Sequence, residues 1–165
     1  MKLARVLSAS CGIVSTDSAS PAARVDANRR MIVEVLDRAA KYRPDFVCFP
    51  ELILQAGCGR FPEMAAHAET VPGPTVELVA EKARALRSHV ILPLFERQGG
   101  RVYNTAVLIG RDGAVIGKYH KYHATGYEIG DGVTPGSEVP VWQTDCGRVG
   151  IAICFDLKFP AVGLA

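Results

Sequence analysis

Short apolar runs alternate with two amphipathic segments along this chain, and this alternation constrains the fold more than any other feature. The two amphipathic segments, Pro21 to about Tyr42 and 75–88, carry apolar residues at helical spacing with charges between them. The apolar runs have the lengths and turn-forming borders of β-strands, and they cover 3–14, 46–49, 89–96, 102–109, 114–120, 139–144 and 149–155. Residues 52–74 and 122–138 are interpreted as loops. The order of these elements predicts an α/β fold with a mixed sheet.

The last apolar run lies unusually close to the C-terminus of the chain. Every position from Val149 to Cys154 is apolar, which predicts a strand buried on both faces. Only eleven residues follow Cys154, too few for another helix to cover this strand and return. We therefore expect one domain over residues 1–165 that is incomplete at its C-terminus.

Composition excludes several classes of function. In 165 residues, 19 Lys and Arg face 17 Asp and Glu, and a net charge of +2 argues against a nucleic-acid binder. No apolar run approaches the roughly 20 residues that span a bilayer, so we expect no membrane segment. The five cysteines are odd in number and lack paired spacing, which argues against a disulfide framework and predicts a cytoplasmic protein.

Three of the predicted strands each end in a reactive side chain. Glu51 follows the run 46–49, Lys121 follows 114–120, and Cys154 follows the apolar residues 151–153. Ligand sites in open α/β sheets gather at the carboxyl ends of strands, so the three groups can converge in one pocket. Taken alone, each has a common structural role: a solvated carboxylate, a surface lysine or an inert core thiol. Only their combination carries a functional hypothesis.

Motifs around these three residues occur in a fixed order along the chain. They read FPEL at 49–52, GKYHKYH at 117–123 and IAICFDL at 151–157, with VPGPT at 71–75, GRVYNTA at 100–106 and TPG at 134–136 between them. This pattern closely resembles the nitrilase superfamily of carbon–nitrogen hydrolases, through nearly all of the chain. The resemblance implies an α-β-β-α sandwich with mixed sheets, here truncated after the nucleophile strand. It also implies hydrolysis of a small amide, carbamoyl-amine or nitrile.

The resemblance assigns a role to each matching residue. Glu51 is expected to be the general base, Lys121 the electrostatic partner and Cys154 the nucleophile, while Glu128 supports the site. The backbone N–H of Phe155, just after the nucleophile, is expected to help bind the oxyanion. Of the two nearby lysines, Lys121 fits the family motif and Lys118 does not.

The physical chemistry of these groups leads to the same reaction. A neutral thiol is a poor nucleophile because its free pKa is roughly 8.5. Glu51 can accept the proton of Cys154 as the thiol attacks and then pass it to the departing nitrogen. This reaction needs neither a metal nor an organic cofactor. We expect Cys154 to alkylate faster than the other four cysteines near neutral pH, and Glu51→Gln to slow that labelling.

Three alternatives remain open. His120 and His123, with Cys146 or Cys154, have zinc-binding side chains, but they lack a paired Cys-x-x-Cys spacing. A truncated, non-catalytic fragment that needs a partner chain would be poorly stable, with exposed apolar patches. An unrelated cysteine hydrolase would not depend on Lys121.

The expected partner is a small amide or nitrile substrate. The sequence does not determine the oligomeric state, and a homo-oligomer is possible.

Overall fold

The computed structural model describes residues 3–11 and 20–164, and a mixed β-sheet forms its centre. The strands are β1 (Val6–Ser8), β2 (Phe46–Cys48), β3 (His89–Gln98), β4 (Arg101–Ile109), β5 (Val115–His120), β6 (Val141–Thr144) and β7 (Gly147–Gly150). The helices are α1 (Pro21–Ala39), α2 (Phe61–Ala66), α3 (Pro74–Leu86), α4 (Gly126–Gly130) and α5 (Pro160–Leu164). Strands β1 to β5 lie side by side in chain order, and β6 and β7 pair as a separate antiparallel hairpin.

The direction of the strands changes within the sheet. The pairs β1–β2 and β2–β3 are parallel, whereas β3–β4 and β4–β5 are antiparallel. As a result, β2, β3 and β5 all run in the same direction and end at the same edge. The prediction of an α/β fold with a mixed sheet is confirmed.

The ends of the two long helices are set by capping residues and prolines. The Ser20 hydroxyl accepts a hydrogen bond from the Ala23 N–H at 3.3 Å and caps α1, whose first residue is Pro21. Helix α3 likewise opens on a proline, and it ends at Arg87 in the left-handed conformation. The predicted helices from Pro21 and over 75–88 are confirmed, except that a 3₁₀ turn replaces the last residues of the first.

The two faces of the sheet pack against different layers. On the helix face, side chains of β2, β3 and β4 form one apolar core with buried residues of α1 and α3, such as Leu36 and Val79. On the opposite, hairpin face, Ala106, Leu108 and Tyr119 pack beneath the β6–β7 hairpin and the segment that follows it. Because side chains alternate across a strand, neighbouring residues of β4 and β5 contribute to different layers.

The sequence missed some short elements and overextended others. Helices α2 and α4 lie in the segments 52–74 and 122–138, which were predicted to be loops. The first predicted strand is reduced to β1 within the described residues, and its last positions, 12–14, lie outside them.

All five cysteines are free thiols. Among the helices of the described segments, none combines the length and apolar character needed to cross a membrane.

The predicted final strand, 149–155, is wrong in its extent and in its burial. Strand β7 ends at Gly150, and a 3₁₀ turn begins at Cys154. Ile151 and Ile153 are buried against the hairpin face of the sheet, whereas Gly150, Ala152 and Cys154 are exposed. The apolar composition therefore reflects one packed face, because no element among the described residues covers the other.

Gly117 provides a direct test of how the hairpin sits on the sheet. A Cβ at this position would come within 2.0 Å of Nε1 of Trp142, the only tryptophan in the chain. We expect Gly117→Ala to lower the free energy of unfolding by about 1–3 kcal/mol and to shift the tryptophan emission, because the indole must move. Denaturant titration followed by fluorescence measures both effects.

Gly163→Ala is the matched control, since a Cβ at that position meets no atom within 4 Å. If Gly117→Ala leaves both the unfolding midpoint and the emission unchanged, the hairpin does not pack against β5 in this way.

Candidate active site

The candidate site lies at the edge of the sheet where β2 and β5 end. Glu51 follows β2 after a two-residue step, and Lys121 comes directly after β5. Asn104, in β4, lies at the same edge because its carbonyl accepts a hydrogen bond from the Lys121 N–H at 2.8 Å. The structure thus brings together groups that are 70 residues apart in sequence.

Lys121 occupies the centre of this site. Its side chain is only 3% exposed, and its Nζ contacts Glu51 Oε1 at 2.7 Å and Glu128 Oε2 at 2.9 Å. Burial alone would lower the pKa of Lys121, but hydrogen bonds to the two carboxylates and their charges outweigh burial and raise that pKa. Lys121 therefore remains a fully charged ammonium at neutral pH.

Glu128 is held in place by the short helix α4. Thr125 caps this helix: its Oγ1 accepts a hydrogen bond from the Glu128 N–H at 3.2 Å, while its own N–H donates to Glu128 Oε2 at 2.8 Å. Burial would raise the pKa of Glu128, but hydrogen bonds from Asn104 and Thr125 and the charge of Lys121 lower it instead. The structure thus places Glu128 beside Lys121, where the sequence expected a supporting residue.

Asn104 is a site residue that the sequence analysis did not identify. Its Nδ2 donates to Glu51 Oε1 at 2.7 Å and to Glu128 Oε1 at 2.8 Å, so one amide joins both carboxylates. The residue is 1% exposed. Its position within GRVYNTA, one of the motifs that carried the family resemblance, was the available signal.

Cys154 lines the same site. It is the only exposed cysteine of the five, and with Glu51, Lys121 and Glu128 it lines a cavity of about 370 Å³. The negative charge of Glu51, then burial and a hydrogen bond with Glu51, raise the pKa of the Cys154 thiol, although Lys121 acts in the opposite direction. Cys154 is therefore a protonated thiol at neutral pH.

The backbone is strained beside two of these groups. Cys154 has φ of 46°, and Leu52, next to Glu51, has φ of 52°. The other non-glycine residues with positive φ in the described part of the chain are Arg43 and Arg87, which end helical segments, where this conformation is common. For Leu52 and Cys154 the strain is of order 1 kcal/mol or more each, and it marks sharp turns that present the reactive side chains.

Asp156 connects the turn of Cys154 to the end of β5. This carboxylate is fully buried and accepts hydrogen bonds from the Tyr119 hydroxyl at 2.8 Å and from the His123 N–H at 2.8 Å. It also accepts one from the N–H of Ile153 at 2.9 Å. Phe155, between Cys154 and Asp156, is partly buried, and its ring packs edge-on against Phe159. The positions of Cys154 and Lys121 are thereby coupled.

The remaining candidates of the sequence analysis lie outside this cluster. Lys118 and His120 both bind the buried carboxylate of Glu96, on the helix face of the sheet. His123 faces Asp156. Within the described residues, no group of three or more His, Cys, Asp or Glu side chains forms a possible metal site.

The electrostatics of the site reverse the expected effect of Glu51→Gln on alkylation. Because the charge of Glu51 raises the pKa of Cys154, removing that charge lowers the pKa and increases the thiolate fraction at neutral pH. We expect iodoacetamide to label Cys154 faster in Glu51→Gln at neutral pH, with the midpoint of the rate–pH profile displaced to lower pH. Peptide mass spectrometry across a pH series measures the rate at each cysteine.

The other four cysteines are internal controls, and Glu138→Gln removes an exposed carboxylate that does not line the cavity. An unchanged midpoint in Glu51→Gln would show that Glu51 does not interact with the thiol.

Comparisons with known proteins identify relatives of this chain. The chain is 31% identical to nitrilase 3 of Arabidopsis thaliana over 158 residues, which is 84% of this chain and 44% of that protein. It is 28% identical to omega-amidase NIT2-B of Xenopus laevis over 144 residues, or 80% of this chain and 50% of that one. The chain thus spans about half the length of the curated relatives it matches.

A solved structure shares the fold over almost the whole chain. It is a CN-hydrolase superfamily protein from Xanthomonas campestris with an arsenic adduct in its active site, and it superposes with a TM-score of 0.77 at 25% identity, over 98% of this chain and 57% of that one. The carbon–nitrogen hydrolase family matches residues 9–164. This chain therefore belongs to the carbon–nitrogen hydrolase family, the nitrilase superfamily.

Proposed function

We propose that this chain carries the catalytic groups of a hydrolase that cleaves the C–N bond of a small amide or nitrile through a covalent intermediate on Cys154. The observation that supports this most directly is the ammonium of Lys121, buried between two carboxylates in the cavity that Cys154 lines. The names of the relatives, a nitrilase and an omega-amidase, support the same class of reaction.

In the first step, the Cys154 thiol attacks the substrate carbon and Glu51 takes its proton. Both Asn104 and Lys121 donate to Oε1 of Glu51, which leaves Oε2 as the oxygen that receives the proton. Because the resting cysteine is a thiol, proton transfer to this general base has to accompany the attack.

In the transition state, negative charge develops on the substrate oxygen or nitrogen. The Lys121 ammonium and the backbone N–H of Phe155 are proposed to stabilise that charge. Glu51 then gives its proton to the departing nitrogen of an amide, and a thioester to Cys154 remains. A water molecule that Glu51 deprotonates attacks the thioester, and the acid leaves as the thiol is restored.

Ammonia release from short aliphatic amides and nitriles tests this function. We expect Cys154→Ala to abolish ammonia release without changing the unfolding temperature, because the side chain is exposed. Lys121→Met should reduce kcat by about 10²–10³-fold, the loss typical for one oxyanion donor.

Cys146→Ala is the matched control, since that thiol is partly buried and does not line the cavity. Ammonia release that persists in Cys154→Ala would refute the proposed nucleophile. A folded wild-type chain that releases no ammonia from any of these compounds would contradict the activity and favour the fragment alternative.

Asn104 gives a second test, based on pH. Asn104→Asp places a third carboxyl group beside Glu51 and Glu128, with Lys121 as the only cation in the cluster. At neutral pH the like charges repel, and we expect kcat to fall on the order of 100-fold. As the pH decreases, the new carboxyl group becomes protonated and can again donate a hydrogen bond, so part of the activity should return.

Asn104→Leu, which has no donor, should lose activity at every pH. If Asn104→Asp keeps the wild-type pH profile of kcat, the amide does not organise the two carboxylates.

A further inference from the structure

Two cavities meet at Glu51 and Cys154, and they differ in their walls. The first, of about 370 Å³, is lined by the polar residues Lys121, Thr125 and Glu128 and by an apolar wall of five residues that are close in sequence: Leu52, Ala56, Gly57, Phe61 and Met64. The second, of about 280 Å³, lies between strands β2 to β4 and the segment 150–153. Only the first contains Lys121, beside which the substrate oxygen is proposed to lie, so the rest of the substrate would contact the apolar wall of this cavity.

This apolar wall is held rigidly by contacts to the rest of the fold. Leu52 is 6% exposed, and the ring of Phe61 packs edge-on against Phe95 with centroids 6.1 Å apart. The loop between Glu51 and α2 is fixed by buried Gln55, whose Oε1 accepts a hydrogen bond from the Phe95 N–H at 3.0 Å. Asn28 of α1 also donates to two carbonyls of this loop. The wall is thus preformed rather than a mobile loop.

The charges in the cavity have a net negative sign. Glu51 and Glu128 contribute two carboxylates, and Lys121, which binds both of them, contributes the only cation among the lining residues, all of which are described. Arg60 precedes α2 but is exposed and does not line the cavity. A carboxylate at the far end of a substrate would meet apolar side chains without a cation and would be repelled by the two acids.

We propose that the wall formed by Leu52, Phe61 and Met64 binds the acyl chain of the substrate and selects apolar acyl groups over those that end in a carboxylate. The inference rests on the proposed function in one respect, that the substrate carbonyl carbon bonds to Cys154 Sγ. It goes further by naming the substrate class: amides or nitriles of aliphatic or aromatic monoacids, rather than half-amides of diacids.

Aldehydes test this selection without requiring turnover. The thiol of Cys154 adds to an aldehyde carbon, its proton moves to the aldehyde oxygen, and the resulting hemithioacetal protects the sulfur from iodoacetamide. Pentanal and glutaric semialdehyde have the same carbon chain, but the second ends in a carboxylate. We expect pentanal to protect Cys154 at a concentration at least about tenfold lower than glutaric semialdehyde, which is the lower end of the discrimination that a hydrophobic pocket achieves.

Variants of each cavity locate the bound chain. Phe61→Ala should weaken protection by pentanal at least about fivefold and leave glutaric semialdehyde unaffected. Met64→Lys should strengthen protection by glutaric semialdehyde, because it supplies the missing cation. Ile91→Ala is the matched control, because this partly buried residue lines only the second cavity. The protection of Cys154 by either aldehyde should therefore be the same in this variant as in the wild type.

Three outcomes would overturn the inference: equal or better protection by glutaric semialdehyde, protection by neither aldehyde, or a loss of pentanal protection in Ile91→Ala instead of Phe61→Ala. Failure of the proposed function looks different. In that case pentanal still protects Cys154 selectively, but pentanamide and pentanenitrile release no ammonia.

Discussion

The burial of the Lys121 ammonium between Glu51 and Glu128 is the interaction on which the site depends. Removing an ammonium from water costs several kcal/mol even after relaxation, and only well-placed counter-charges compensate for it. Here the two carboxylates supply that compensation, and the Asn104 amide fixes their relative positions by donating to both of them. The charge of Lys121 is thus held where substrate charge is proposed to develop, by groups that are themselves anchored in β4 and α4.

A second set of contacts fixes the position of Cys154 relative to this cluster. Cys154 does not extend from a strand of the main sheet; it lies on a strained turn that packs on the hairpin face. Buried Asp156 ties this turn to Tyr119 and His123, which flank Lys121 in sequence. Glu51, Lys121 and Cys154 are therefore positioned by three different parts of the fold, and Asp156 joins two of them.

Two kinds of feature could be predicted from the sequence: helices long enough to show an amphipathic pattern over several turns, and reactive side chains that directly follow a strand. Helices α1 and α3 are long enough to show an apolar stripe, and Glu51 and Lys121 follow strands whose ends lie at one edge. Helix α2 has six residues and α4 has five, too few for a helical pattern to stand out from a loop.

Other features depend on geometry that composition does not encode. Asn104 lies between Tyr103 and Thr105 in β4 with no local pattern that sets it apart, and only the folded structure shows that its amide contacts the two acids. The turn at Cys154 was missed because its positive φ is not visible in a run of apolar residues.

The protonation of Glu51 links the base and the oxyanion site of the proposed mechanism. In the resting state Oε1 of Glu51 accepts hydrogen bonds from Lys121 and Asn104, and the thiol keeps its proton. When the carboxylate takes up that proton, it becomes neutral and attracts the ammonium less strongly. Lys121 is then freer to stabilise the negative charge that the attack creates on the substrate. The interaction with the substrate oxygen thus becomes stronger in the transition state than in the ground state, which is the condition for an interaction to accelerate the reaction.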